Sequence, residues 1–399
     1  MGRLLENRSI FILVACFAFY AAFSLYFLVQ YYGPPFTLVV PGDIHYGRDF
    51  INVWGGGNAA LEGDARSIFD RELYAQLLFQ YAEQKIPLEM LRQHAFSYPP
   101  HTLFFLVPFA FVSYIPALVL WTILGIAACW KSFSTYLGGK IALLALLVPS
   151  GLVNLVGGQN GFFTAALFIG GFSQLKKNPY LAGILFGILT IKPQLGVLLA
   201  LALLAARQWK VIFAAGVTCI TLMGLSALIF GIELWRTYAT VTLPYQSGLL
   251  KKSIGIFDHM VPSLYKSLIN SGMPADLAIF PQYGLMAICL MLVVWAFLRP
   301  RNSVLQLSLL CAVTSLFSPY LAIYDLTLLT FAVFLWMSFH FKKDSLTAPR
   351  AVLGALLISL PITHLYFSAA GFYWLPLLIS LFAAILVADL RGYEAPSPA

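Results

Sequence analysis

Residues 181–206 read LAGILFGILTIKPQLGVLLALALLAA. A single cation, Lys192, splits this otherwise apolar run, and Pro193 follows it directly. Basic pairs flank the run, Lys176-Lys177 ahead of it and Arg207 with Lys210 behind. Each arm is shorter than the ~20 apolar residues needed to cross a bilayer, so the pair reads as two short half-helices with Lys192 at their tip. A cation in such a position is costly unless paired, which makes it a functional candidate. Its natural partner is a phosphate; the alternative is a side chain that snorkels to the interface.

The rest of the chain has the same character. Of 399 residues, 60% are hydrophobic and only 10% charged, against roughly 45–50% and 25% in soluble domains. That excludes soluble, disordered, fibrous and nucleic-acid-binding classes. The sequence predicts an all-α polytopic membrane protein with about twelve spans, at 10–31, 99–131, 141–156, 161–175, 180–191, 194–206, 211–231, 276–298, 303–318, 326–341, 350–367 and 373–390. The first apolar stretch is too long for a cleaved signal and reads as an uncleaved span. With the N-terminus in the cytoplasm, fourteen of the 24 Lys and Arg residues but only four of the 16 acids fall on the inner side. This is the positive-inside pattern, with both termini cytoplasmic and the two polar loops, 32–98 and 232–275, outside. Residues 99–131 are too long for one span, and parity favours an interfacial or re-entrant piece (99–114) followed by one span (115–131). Residues 1–391 form one integral-membrane domain, and 392–399 a disordered tail.

Within the first outer loop, Leu73, Tyr74, Leu77, Leu78 and Tyr81 recur at helical spacing between Asp70 and Gln93, predicting an amphipathic helix on the membrane surface. Segments 49–54 and 58–62 also look helical, interrupted by Gly55, Gly56 and Gly57. The five cysteines lie in apolar runs without a CxxC pair and read as small hydrophobes.

Chemistry falls to polar residues at the outer face. Asp49, in the run Asp43–Phe50, suits a general base on an acceptor hydroxyl, or equally a solvated loop acid or helix N-cap. Gln159 and Asn160, in Gly157-Gly158-Gln159-Asn160-Gly161, offer amides to sugar hydroxyls or simply form a turn. Tyr98 and His101, in Tyr98-Pro99-Pro100-His101, bring an aromatic and an imidazole to the end of the first loop. Asp325, beside Ser318-Pro319-Tyr320, is placed to pair with Lys192, Lys251 or Lys252, or to bind substrate. Asp258 and His259 lie in the second outer loop. No DxD motif or His/Cys set marks a metal, and no GxGxxG, Walker A or GxSxG motif marks a nucleotide or serine-hydrolase site.

In this order, Asp49-Phe50, Ala59–Gly63, Tyr98-Pro99-Pro100, Gly158-Gln159-Asn160, Ala182–Gly187 with Ile191-Lys192-Pro193, Ser318-Pro319-Tyr320 and Tyr324-Asp325 resemble glycosyltransferase family 87 on the GT-C fold. The family includes the mycobacterial phosphatidylinositol-mannoside mannosyltransferase. The resemblance implies inverting transfer of a sugar, mannose being the family's first suggestion, from a polyprenyl-phosphate donor to a lipid or glycan acceptor at the outer face of a bacterial inner membrane. Asp49 would deprotonate the acceptor, Lys192 would hold the donor phosphate, and Tyr98, His101, Gln159, Asn160, His259, Tyr320 and Asp325 would line the substrates. No metal or other cofactor is implied. The chain departs from the family where many mannosyltransferases carry Asn-x-Ser: here the second outer loop reads His259-Met260-Val261-Pro262-Ser263. Two other readings stand beside this one, a lipid-linked-sugar flippase and a non-catalytic membrane scaffold. The near absence of acids within spans and of an internal repeat speaks against a transporter.

Overall fold

The computed structural model describes residues 2–32, 39–40, 44–251, 257–299 and 301–393; Asp43, Lys252 and the tail from 394 lie outside the described residues. Apart from a two-residue antiparallel pairing of Val39–Val40 with Ile44–His45, the regular elements among them are helical.

Among the described residues, six helices are long and apolar enough to cross a membrane: Tyr114–Leu137, Trp209–Phe230, Ala275–Phe297, Ile323–Lys342, Ala348–Ala369 and Leu375–Gly392. Gly139–Leu146 and Pro149–Gly157, bent by 59°, make a seventh if taken as one broken span. By length and composition these do not confirm the expected twelve. The apolar runs at 161–175, 180–191, 194–206 and 303–318 do form helices, Gly161–Gln174, Pro179–Ile191, Pro193–Ala205 and Ser303–Phe317, but all are short. At 1.5 Å per residue they reach about 20 Å, less than the ~30 Å hydrocarbon core. The first expected span falls in the helix Gly2–Tyr32. Residues 99–131 divide as expected: a turn and the helix Leu103–Ala110 precede the long helix Tyr114–Leu137.

Burial sorts these helices. Ile323–Lys342 is the axis, with 89% of its most apolar window buried, against 6% for Trp209–Phe230. The latter turns Phe213, Ile220 and Leu228 outward, each more than two-thirds exposed. Apolar surface of that extent is stable only against lipid. Three cysteines, Cys129, Cys289 and Cys311, are buried, and all five are free thiols.

The first long polar loop contributes a separate core, built from Phe50, Trp54, Ile68, Tyr74, Leu78, Phe96 and their neighbours. Two local expectations change here. The glycines do not interrupt a helix: Phe50–Glu62 is continuous. Side chains would meet neighbours on three sides, a Cβ on Gly55 lying 2.1 Å from Leu78 Cδ2, on Gly56 2.4 Å from the Phe96 ring, and on Gly57 2.6 Å from the Leu106 carbonyl oxygen. The entropic cost of glycine in a helix is accepted for that close approach. The surface helix is also shorter than the periodicity suggests. Asp70 caps it at 3.0 Å to the amides of Glu72 and Leu73, and it ends at Tyr81, before Glu83 and Gln84 turn left-handed. Its buried face, Tyr74, Ala75 and Leu78, packs into the loop core, while Leu73 points outward.

Gly57→Val should lower the melting temperature of the detergent-purified protein through overpacking, at a cost of about 1–3 kcal/mol. Gly284→Ala, where a methyl meets nothing within 4 Å, should leave it unchanged or slightly higher. Equal melting temperatures for wild type and Gly57→Val would refute the packing role.

Candidate active site

Lys192 stands at the break between the two arms, with a one-turn 3-10 helix on either side, Leu189–Ile191 and Pro193–Leu195. Its Nζ meets Asp325 Oδ1 at 2.5 Å, and both side chains are almost wholly buried. Asn160 Oδ1 accepts from the same ammonium at 3.3 Å, and the Tyr324 ring lies 4.4 Å below it. The second carboxylate oxygen of Asp325 accepts from the Ala322 amide at 3.2 Å. Of the partners open to Asp325 in the sequence, the structure selects Lys192. Lys251 instead meets Asp276 at 3.7 Å on the surface.

The adjacent residue carries the cluster to Asp49. Gln159 Nε2 donates to Asp49 Oδ2, while the Gln159 carbonyl accepts from Trp121 Nε1 at 3.3 Å. Asp49 occupies the N-cap position of the helix Phe50–Glu62, but its side chain caps nothing. Its amide donates to the Gly157 carbonyl at 3.0 Å. Gly158, at φ +60°, lets the two turns touch, since a Cβ there would sit 2.5 Å from Phe50 Cβ. Tyr114 Oη fixes the other side of this turn, donating to the carbonyls of Tyr46 at 2.6 Å and Gly47 at 3.0 Å. Consecutive amides, Gln159 and Asn160, thus bridge the first-loop carboxylate to the Lys192–Asp325 pair.

Burial raises the Asp49 carboxyl above the usual aspartate range, and the nearby Arg48 charge opposes it only in part. The Tyr98 hydroxyl is pushed up by burial and by the charges of Asp49 and then Asp325, which puts both carboxylates within electrostatic reach of one phenol. A cavity of about 440 Å³ opens here, with Tyr98, Lys192, Gln246, Ser247, Tyr320 and Tyr324 in its wall. Gln246 Nε2 donates to the Ser97 carbonyl at 2.8 Å, and Ser247 meets Tyr320 Oη at 2.7 Å, so the helix Leu243–Lys251 straps the mouth. Asp49 is not in the wall of this cavity. The turn at Tyr46 borders a second one of about 810 Å³, lined by Trp54, Tyr81, Tyr114 and Leu118.

Two expected site residues stand apart. His101 stacks on Trp235, 5.7 Å between centroids and 9° from parallel, and its Nε2 meets Thr190 Oγ1 at 3.2 Å. His259 lies within electrostatic reach of His364 and is not in the cavity wall. Asp258, left unplaced by the sequence, forms a buried pair with Lys266 at 2.6 Å. Sequence reading missed Asn154, whose amide donates to the Tyr324 carbonyl and to Thr327 Oγ1, both at 3.0 Å. An amide alone in an apolar run was the available signal. Among the described residues, no group of three or more His, Cys, Asp or Glu is placed to hold a metal.

The fold and this cluster define an integral multi-pass membrane protein with a recessed, charged site. The model of glycosyltransferase family 87 matches residues 96–319, more than half of the chain, and the chain belongs to that family, a family of membrane glycosyltransferases. Tyr98, Gln159, Asn160 and Lys192 fall inside the match, and Asp49 and Asp325 outside it. No curated protein and no solved structure matches.

Asp325→Ala would strand a buried ammonium and should destabilise the protein by about 3–5 kcal/mol, read as a lower melting temperature. Lys192→Met combined with Asp325→Leu should recover much of that loss. A double variant as unstable as Asp325→Ala would show that the loss does not come from the stranded ammonium.

Proposed function

We propose that the protein transfers a sugar from a polyprenyl-phosphate donor to a lipid or glycan hydroxyl at the outer face of the membrane, with inversion, on a GT-C-type bundle. The observation that carries this reading is the bridge through Gln159 and Asn160, which links a carboxylate of raised pKa to a buried lysine beside a cavity. The donor phosphate would enter the Tyr98–Tyr324 cavity and share Lys192 with Asp325. As the bond from sugar to phosphate breaks, charge develops on the leaving phosphate, and a fixed cation stabilises that charge without reorganisation.

Asp49 would act as general base, taking the acceptor proton as the hydroxyl oxygen attacks the anomeric carbon from the face opposite the phosphate. The cavity bordered by Tyr46 suits an acceptor that approaches this turn from the other direction. A lipid-linked donor also fits the depth of the site. If the basic ends of the Lys192 arms rest at the inner interface, Lys192 lies about 20 Å into a ~30 Å layer. A substrate anchored in the bilayer reaches that level readily. Mannose is the first sugar to test.

The experiment is transfer by the purified protein, offered a panel of polyprenyl-phosphate sugars and a membrane lipid extract. Asp49→Asn should lose turnover by about 10²–10⁴-fold with donor binding nearly intact. Full turnover by that variant would remove Asp49 as the base. Lys192→Ala, checked for folding, should weaken donor binding. Because only ionised Asp49 accepts a proton, kcat/KM should fall as pH drops through a carboxyl value raised by burial. The acid limb should therefore lie above the ~4 of a free aspartate.

A further inference from the structure

Away from the site just described, five cations meet at the opposite ends of the Lys192 arms. Lys176, Lys177, Arg207, Arg299 and Arg301 line one cavity of about 850 Å³, together with apolar walls from Phe172, Leu203, Phe297 and Leu298 among others. No carboxylate lines it, and among the described residues none of the five cations forms an ion pair. Arg301 lies over the Trp295 ring at 4.1 Å, and its buried Nε has no hydrogen-bond partner.

Arg207 adds an independent observation. It occupies a left-handed position, φ +54°, at the end of the helix Gly196–Ala205. Its amide bonds back to Leu204 at 3.0 Å and the next amide, of Gln208, to Leu203 at 2.9 Å. That is the Schellman geometry, whose left-handed residue is usually glycine because a Cβ is strained there. An arginine at this position is held against local backbone preference. The bias of basic residues toward one face accounts for cations on these connectors. It does not account for their convergence on one acid-free cavity, nor for arginine where glycine fits better.

We propose that this cavity binds the phosphate of an anionic phospholipid, on the side that the charge bias assigns to the cytoplasm. The guanidinium and ammonium groups would take the phosphate oxygens, and the Phe172–Leu298 wall would take the glycerol and upper acyl carbons. The apolar wall favours a lipid over a soluble phosphate. The site lies at the far end of the half-helices that carry Lys192, so its occupancy is separate from transfer chemistry.

The test is native mass spectrometry of the detergent-purified protein titrated with phosphatidylglycerol or phosphatidylcholine. Phosphatidylglycerol should be retained at about tenfold lower concentration. Arg207→Gly should abolish that preference while keeping or raising the melting temperature, a combination that a merely structural arginine would not give. Lys176→Gln with Lys177→Gln, at exposed positions, should weaken the preference without unfolding. Equal retention of both lipids, or a preference intact in these variants, would overturn the proposal. Millimolar inorganic phosphate separates the sources: a preference that survives it supports the lipid, and one erased by it reassigns the cavity to a soluble phosphate.

Discussion

A lysine in an apolar hairpin has to be neutralised where it stands, and much of this molecule follows from how that is done. The ammonium of Lys192 has little contact with water, the residue being only 6% exposed in the cavity wall. An unpaired charge in such surroundings costs several kcal/mol. Its counter-charge, Asp325, comes from far along the chain, at the start of the most buried helix. Closing that pair draws the half-helix arms onto the central axis. The carbonyl of Tyr324 and the hydroxyl of Thr327 are then held by Asn154, and the Tyr324 ring comes to lie against the ammonium. A buried ion pair is weak evidence for net stability but a strong constraint on arrangement, because neither partner tolerates the loss of the other.

The same pair shapes what the site can do. A lysine that already has a carboxylate and an amide on it keeps its charge without being an open trap for any anion. In the proposed reaction the donor phosphate would share this lysine with Asp325, which favours stabilisation of developing charge over tight binding in the ground state. Asp49 is handled differently. Its carboxylate receives a hydrogen bond from Gln159, which favours the ionised form, while burial favours the neutral one.

The described residues of the two long polar loops fold as packed structure rather than as tethers. The first holds an aromatic core against which the three-glycine helix lies flat, and this fixes the direction in which Asp49 leaves the turn. The second is anchored by the buried pair of Asp258 with Lys266 and by the Ser247–Tyr320 contact over the cavity.

Composition and periodicity determined the membrane class, the apolar segments and the positions of their breaks, because the exclusion of charge from hydrocarbon is written residue by residue. Lys192 and Asp325 were legible for the same reason: each is an ionised group bordering apolar sequence. Span number was not legible, since hydropathy marks an apolar run without saying whether it reaches across the bilayer or stops inside the bundle. The helix through Gly55–Gly57 was misread, because glycine lowers local propensity while the close neighbours that require it, Leu78, Phe96 and Leu106, are distant in sequence. The sequence could not show that His101 stacks on Trp235, nor that His259 lies within electrostatic reach of His364, because those partners are distant in sequence. Only the tertiary structure decided that, of the acids in the chain, Lys192 takes Asp325 as its partner, and that two consecutive amides tie that pair to Asp49. The Lys192–Asp325 and Gln159–Asp49 contacts each span more than a hundred residues, and a pairing of that range is fixed by the closure of the bundle and not by any local pattern.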